Sequence, residues 1–148
     1  MSQPIEALEQ TFGDKVENVE VSNYPTVRVA PENLVEVMRF LKDEQGMDYL
    51  AGLCSADHPD ENVFEVVYFV HCLTDGAKKI QVKVRTPHNK PEVPSITSVY
   101  AGADWQEREE YDLMGVTFTG HPNLVRVLLP DDFAGHPLRK DFKAVKLC

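Results

Sequence analysis

The chain has 148 residues, the size of one ordinary domain, and 15 Lys and Arg against 24 Asp and Glu give it a formal net charge of −9. Its 43% hydrophobic content excludes a disordered chain. No apolar run approaches the ~18 residues of a membrane span, and an acidic chain without a segregated basic face is not a general nucleic-acid binder. The stretch from Met1 to Gln10 has neither a basic region nor an apolar signal core, so the protein is expected in the cytoplasm, meeting a membrane only through a partner. Cys54, Cys72 and Cys148 are odd in number, widely spaced and without a Cys-x-x-Cys pair. They read as free thiols, with Cys54 and Cys72 buried inside apolar runs, and not as a disulfide framework or a metal site.

Pro4 to Phe12 reads as a short helix, with Ile5, Leu8 and Phe12 on one face and Gly13 as a stop. Thr26 to Val29 reads as a strand. Pro31 opens the clearest helix, because a first-turn N–H needs no helical partner. Leu34, Val37, Met38 and Leu41 form its apolar stripe, and Gly46 ends it. Tyr49 to Ala56 is a strand, followed by a turn at Asp57-His58-Pro59-Asp60. Val63 to Val70 is nearly all apolar, as a central strand would be. Ile80, Val82 and Val84 alternate with Lys79, Gln81, Lys83 and Arg85, the period of a strand with one wet face. Asp75-Gly76 between these two strands predicts an antiparallel hairpin.

Pro87, Pro91 and Pro94 then break the pattern. The expected organisation is an α+β body over 1–86, a Pro-rich connector over 87–94 that continues neither sheet nor helix, and a third segment over 95–148, all within one domain. The fold class is α+β, with a mixed or antiparallel sheet of about four strands covered by helices and an extended C-terminal tail. Ser95 to Tyr100 is compatible with one or two helical turns. Asp104 and Glu107 have capping-box spacing for a helix from Trp105 to Met114, ended by Gly115. Arg108 and Asp112 lie one turn apart and are expected to pair. The acids Glu107, Glu109, Glu110 and Asp112 leave this helix without a clean apolar stripe. They read either as a solvated face, with the helix held by Trp105, Tyr111 and Leu113, or as charges facing another protein.

The tripeptide Gly-His-Pro occurs at Gly120-His121-Pro122 and again at Gly135-His136-Pro137, with Arg126 and Arg139 following. His121, His136, Asp131 and Asp132 are suitable zinc or iron ligands, but no histidines have the spacing that sets two ligands on one helical face. A stand-alone metalloenzyme built on them is therefore the competing class. No nucleophile elbow or glycine-rich phosphate loop is present. Arg126, Arg139, Lys140 and Asp141 are instead interleaved with Phe133, Leu138, Phe142 and several prolines. That mixture suits an extended segment lying across a partner, its cations binding acidic or carbonyl groups there.

The run Glu107-Arg108-Glu109-Glu110-Tyr111-Asp112-Leu113-Met114-Gly115-Val116 is followed by Phe118, Gly120-His121-Pro122, Arg126, Leu129-Pro130-Asp131-Asp132 and Gly135-His136-Pro137-Leu138-Arg139-Lys140-Asp141-Phe142. This pattern closely resembles the signature of the 30-kDa-type subunit family of NADH-quinone oxidoreductase, the enzyme known as respiratory complex I. The resemblance implies a non-catalytic subunit of the hydrophilic arm, peripheral to the cytoplasmic side of the bacterial membrane. It implies packing against the 49-kDa-type subunit, which carries the quinone site, and near cluster-bearing subunits. FMN and iron–sulfur clusters would sit in other subunits of the proton-translocating complex, with no cofactor bound by this chain. The implied partner interface is Glu107, Arg108, Glu109, Tyr111, Asp112, Gly115, Phe118, Gly120, His121, Pro122, Arg126, Pro130, Asp131, Asp132, Gly135, His136, Pro137, Leu138, Arg139, Lys140, Asp141 and Phe142. Related subunits occur in membrane-bound [NiFe] hydrogenases and other quinone-reducing dehydrogenases, and the motif does not separate these assemblies.

Overall fold

A computed structural model describes residues 3–19 and 24–144. Helix α1 (Gln3–Phe12) leads into β1 (Val16–Asn18) and β2 (Thr26–Val29), then α2 (Leu34–Asp43). The long strands β3 (Tyr49–His58), β4 (Val63–His71) and β5 (Lys79–Pro87) follow, then β6 (Glu92–Pro94), α3 (Ala103–Met114) and β7 (Thr117–Thr119). The architecture is α+β with a mixed sheet. Among the described residues that sheet has five strands, where about four are expected, in the order β1-β2-β5-β4-β3, and β6 and β7 pair separately. Only the β2–β5 pairing is parallel within the large sheet.

The alternation in β5 sets the two faces. Ile80, Val82 and Val84 face a core shared with Phe64, Val66, Tyr68 and Val70 of β4 and with Leu34, Val37, Met38 and Leu41 of α2. Each such fully buried side chain contributes about 1.5–3 kcal/mol relative to an exposed one. The opposite face carries the wet residues. There Glu65 is buried under cations, with Arg85 Nε 3.1 Å, Lys83 Nζ 3.3 Å and Arg28 Nη2 3.9 Å from its carboxylate. Burial alone would raise the Glu65 carboxyl; Arg85 and Lys83 outweigh it and hold the group below its ordinary value.

Several expectations are corrected. β3 runs on to His58, paired with Val63, so the turn is shifted to Pro59–Glu61 and closes with Asn62 in the left-handed region at φ 57°. Asparagine tolerates that conformation because its short polar side chain bonds locally. The Pro-rich connector is part of the sheet structure. Pro87 ends β5, and Glu92–Pro94 pairs in parallel with Thr117–Thr119. Two-stranded edges accept proline because one side of each strand needs no ladder donor. Ser95 to Tyr100 forms a single helical turn, with the Tyr100 N–H donating to Ile96 O at 2.9 Å, and does not extend into a longer helix. Cys72 is buried, but Cys54 is exposed, because it lies on the wet face of β3. Cys148 lies outside the described residues.

Candidate functional site

The signature helix α3 starts at Ala103 and not at Trp105. Its cap residue is Gly102, with no side-chain cap bond, so the capping box of Asp104 and Glu107 does not form. Glu107 turns inward instead. Its side chain is fully buried; Oε2 accepts from Ser95 Oγ at 2.7 Å and Oε1 from Ile96 N–H at 2.8 Å. Burial pushes the Glu107 carboxyl up, and the Ser95 and Ile96 donors only partly offset this. Beside it lies His121, whose Nδ1 accepts the Asn123 N–H at 2.9 Å. The proton is thereby assigned to Nε2, which lies 3.2 Å from Asp104 O and 3.9 Å from Glu107 Oε2. Tyr68 reaches the same buried region from β4, and burial together with Glu107 and Glu110 pushes its phenol well up.

Further along α3, Asp112 is also fully buried, with the opposite electrostatics. Its Oδ1 accepts from Arg126 Nη1 at 2.7 Å. Its Oδ2 accepts three successive backbone donors, Val127, Leu128 and Leu129, at 3.1, 2.8 and 3.0 Å. Burial alone would raise this carboxyl. The Arg126 guanidinium and the three N–H groups more than reverse it and hold Asp112 down at about 2. Arg126 Nη2 then donates to the carbonyls of Phe133 and Gly135, both at 2.9 Å. One guanidinium therefore ties α3 to two points of the following loop. The expected Arg108–Asp112 pair is absent. Arg108 donates from Nε to Val125 O at 3.2 Å and stacks over the Trp105 ring at 4.5 Å.

The loop also closes the C-terminal end of α3, where helical carbonyls lack partners. His136 Nδ1–H donates to Asp112 O at 2.9 Å, and Leu138 N–H donates to Leu113 O, also at 2.9 Å. Gly115 permits this approach. It is left-handed at φ 74°, and a Cβ there would lie 2.7 Å from His136 Cδ2. Gly135, at φ 92°, is similarly pressed by Phe142, which stacks on Phe133 with ring centroids 6.2 Å apart.

Residues 139–141 return to the body of the fold. The Lys140 N–H donates to Asp57 Oδ2 at 2.8 Å, and His88 Nε2 lies 2.8 Å from Asp57 Oδ1. The Arg139 guanidinium lies over the Phe64 ring at 4.9 Å and chelates Asp141 at 2.9 and 3.0 Å. The tail is thus extended, without helix or strand after β7 among the described residues, but folded back on its own chain. Arg126 and Arg139, expected to bind a partner's acids and carbonyls, direct donors to groups of this chain. Glu107 and Asp112, expected to face another protein, are buried and support the surface from behind. Of the expected interface, Glu109, Gly120, Pro122, Pro130, Asp131, Asp132, Gly135, Leu138, Lys140 and Asp141 are exposed. So are Trp105 and Leu128, at 65% and 64%, neither of which belongs to the expected interface. Asp57 and His88 join the site without any local sequence signal that marks them. His121 lies beside Asp104 and Glu107 near the start of α3 and His136 bonds Asp112 O near its end, and among the described residues no three His, Cys, Asp or Glu side chains group to hold a metal ion.

The family model described as respiratory-chain NADH dehydrogenase, 30 Kd subunit, matches residues 27–146. The chain belongs to this family. This family member is 45% identical over 140 residues to the NADH-quinone oxidoreductase C subunit of Moorella thermoacetica, covering 94% of this chain and 93% of that one. It is 48% identical over 121 residues to the counterpart of the same name from Mesorhizobium japonicum, spanning 79% of this chain and 59% of the relative. Among solved structures, a trypsin-resistant fragment (1-134) of Nqo5 superposes with TM-score 0.67 at 28% identity, over 82% of this chain and 99% of that one. A chain of the membrane-bound sulfane sulfur reductase, an archaeal respiratory membrane complex, superposes with TM-score 0.80 at 26% identity, over 94% and 82%. Among the described residues of this 30-kDa-type subunit, no helix is long and apolar enough to cross a membrane.

Proposed function

We propose that this 30-kDa-type subunit is a non-catalytic structural part of the hydrophilic arm of an NADH:quinone oxidoreductase, on the cytoplasmic side of the membrane. It supports the quinone-site subunit (the 49-kDa type) while electrons pass from NADH to quinone through FMN and clusters held in other subunits. The observation that carries this reading is the division of labour in the signature segment. Asp112 and Arg126 satisfy each other and the backbone of the following loop within the chain, while Trp105, Leu128 and Leu138 stay 59–65% accessible on the outside. Large apolar side chains held outward by a rigid polar frame suit a surface that a partner covers.

The test is purification of the tagged protein from gently solubilised native membranes, with mass spectrometry of the stoichiometric partners. Flavin-bearing NADH-oxidising subunits together with a 49-kDa-type subunit are the expected result. The fit to a chain of the sulfane sulfur reductase favours a second reading, the equivalent subunit of a hydrogenase-type or related respiratory membrane complex. A nickel-binding or sulfur-reducing large subunit in place of the NADH module would select it. A chain that emerges alone would overturn both.

A further inference from the structure

Away from the signature segment, α1 and α2 bound an open groove of about 610 Å³. Its floor is apolar. Phe12 of α1 meets Phe40 of α2 edge-on, with ring centroids 5.4 Å apart, and Val35 lies along the same side of α2. All three are only partly buried against the core. The rim is acidic. Glu32, in the turn before α2, is followed along one side of the helix by Glu36, Asp43 and Glu44, against which the groove sets only Lys15 and Arg39, a balance of 2 − 4 = −2. The four acids are exposed. Charge of this sign repels anionic lipid surfaces and nucleic acid, and the apolar floor offers more than a counter-ion site. It matches the helix-in-groove mode of recognition, in which an apolar face docks between two helices and flanking charges fix its register.

We propose that this groove seats a cationic amphipathic helical segment of another subunit, on a side of the molecule that the signature segment does not reach. The inference rests on the assembly reading above for the existence of that subunit. Glu36 and Asp43 are seven residues apart, about two turns or ~10 Å along α2. A ligand helix lying alongside would present Lys or Arg at i and i+7, with aliphatic or aromatic residues between them against Phe12, Val35 and Phe40.

The experiment uses the full chain, tagged and purified with its complex at low and at physiological salt, as wild type and as the double variant Glu36→Lys/Asp43→Lys. Both positions are exposed, so the thermal midpoint of the isolated variant should match the wild type. The expected result is a loss of about tenfold in the yield of one co-purifying subunit, larger at low salt, where charge pairing is least screened. A photo-crosslinking side chain placed at Arg39 should then join to a segment of that subunit with Lys or Arg on both sides of apolar residues. Full recovery of every subunit with the double variant would overturn the inference while leaving the assembly reading intact. So would a crosslink to a second copy of this chain, or to a segment without cations. A wild-type chain that brings down no subunit would overturn both.

Discussion

Asp112 and Glu107 are about one and a half helical turns apart, equally buried, and driven in opposite directions by what surrounds them. Asp112 meets a guanidinium and three aligned backbone donors, so its proton affinity falls; Glu107 meets a hydroxyl and one N–H, so desolvation wins. The signs of their contributions to stability differ accordingly. Asp112, held near 2 against an ordinary 3.8, contributes stability that is fully present above 3.8 and lost as the pH falls toward 2. Asp112→Asn leaves the Arg126 charge without its counter-charge in a mostly buried site and is expected to cost about 3–5 kcal/mol at pH 7. Urea unfolding at pH 7 checks this, and the deficit should shrink as the pH falls toward 2, where wild-type Asp112 itself begins to take up its proton. Glu107 is raised above an ordinary 4.5, so the folded state binds its proton more tightly than the unfolded chain. Its ionisation weakens the fold as the pH rises through the raised value, and that cost persists at pH 7. Glu107→Gln keeps an acceptor for Ile96 N–H, and the Ser95 hydroxyl can turn to accept from the new amide. The variant should be at least as stable as wild type at pH 7 and lose that advantage at acid pH. A lower urea midpoint at pH 7 would show that the carboxylate, facing Asp104 and His121, is held for a favourable interaction and not against one.

At the scale of elements, the post-β7 loop behaves as the C-terminal cap of α3, and Arg126 is its fastener. Removing the side chain by Arg126→Ala frees the carbonyls of Phe133 and Gly135 and strips Asp112 of its cation. Residues 127–142 should then detach. Limited trypsin digestion should cut the variant after Arg139 and Lys140 several-fold faster than wild type, while the interior of the five-stranded sheet stays protected. Equal cleavage rates would mean that the contacts of Lys140 with Asp57 and of Arg139 with Phe64 hold the tail without the clasp. Some of this organisation is legible in the sequence. The i, i+3, i+4, i+7 stripe of α2 and the strict alternation of β5 are local patterns that burial on one face writes directly into the chain. The two Gly-His-Pro turns are legible too, because glycine and proline constrain the backbone on their own. The burial of Glu107 is not, since an acid among acids on a helix has the pattern of a solvated face. Only Ser95 and Ile96, brought over by β6, reveal otherwise, and three closely spaced prolines hide β6 as a strand. The Asp57 contact with Lys140 spans 83 residues and leaves no periodic trace.

Of the large apolar side chains that stand exposed among the described residues, Trp105, Val125, Leu128 and Leu138 gather at the signature end of the molecule, outside the frame built by Asp112 and Arg126. A family signature is a weak guide to which of its residues touch a partner, because much of it here is spent on shaping the loop. Trp105 is the sharper candidate. It stands 65% exposed at the start of α3, its ring held by the Arg108 guanidinium 4.5 Å away, which in turn is fixed on Val125 O. Within the isolated chain, Trp105→Ala removes only a stacked cation contact, about 0.5–1 kcal/mol at an exposed site. The urea midpoint should therefore move little. At a covered interface a tryptophan anchor of this kind costs about 2 kcal/mol or more when truncated, roughly 30-fold in affinity. The expected outcome is a variant that folds normally but is retained poorly with its neighbouring subunits, while Leu73→Ala, equally exposed at 66% in the turn between β4 and β5, assembles as wild type. If Trp105→Ala instead lowers the stability of the isolated chain by as much as it lowers assembly, the ring belongs to the frame that shapes the loop, and the partner reads Leu128 and Leu138 without it.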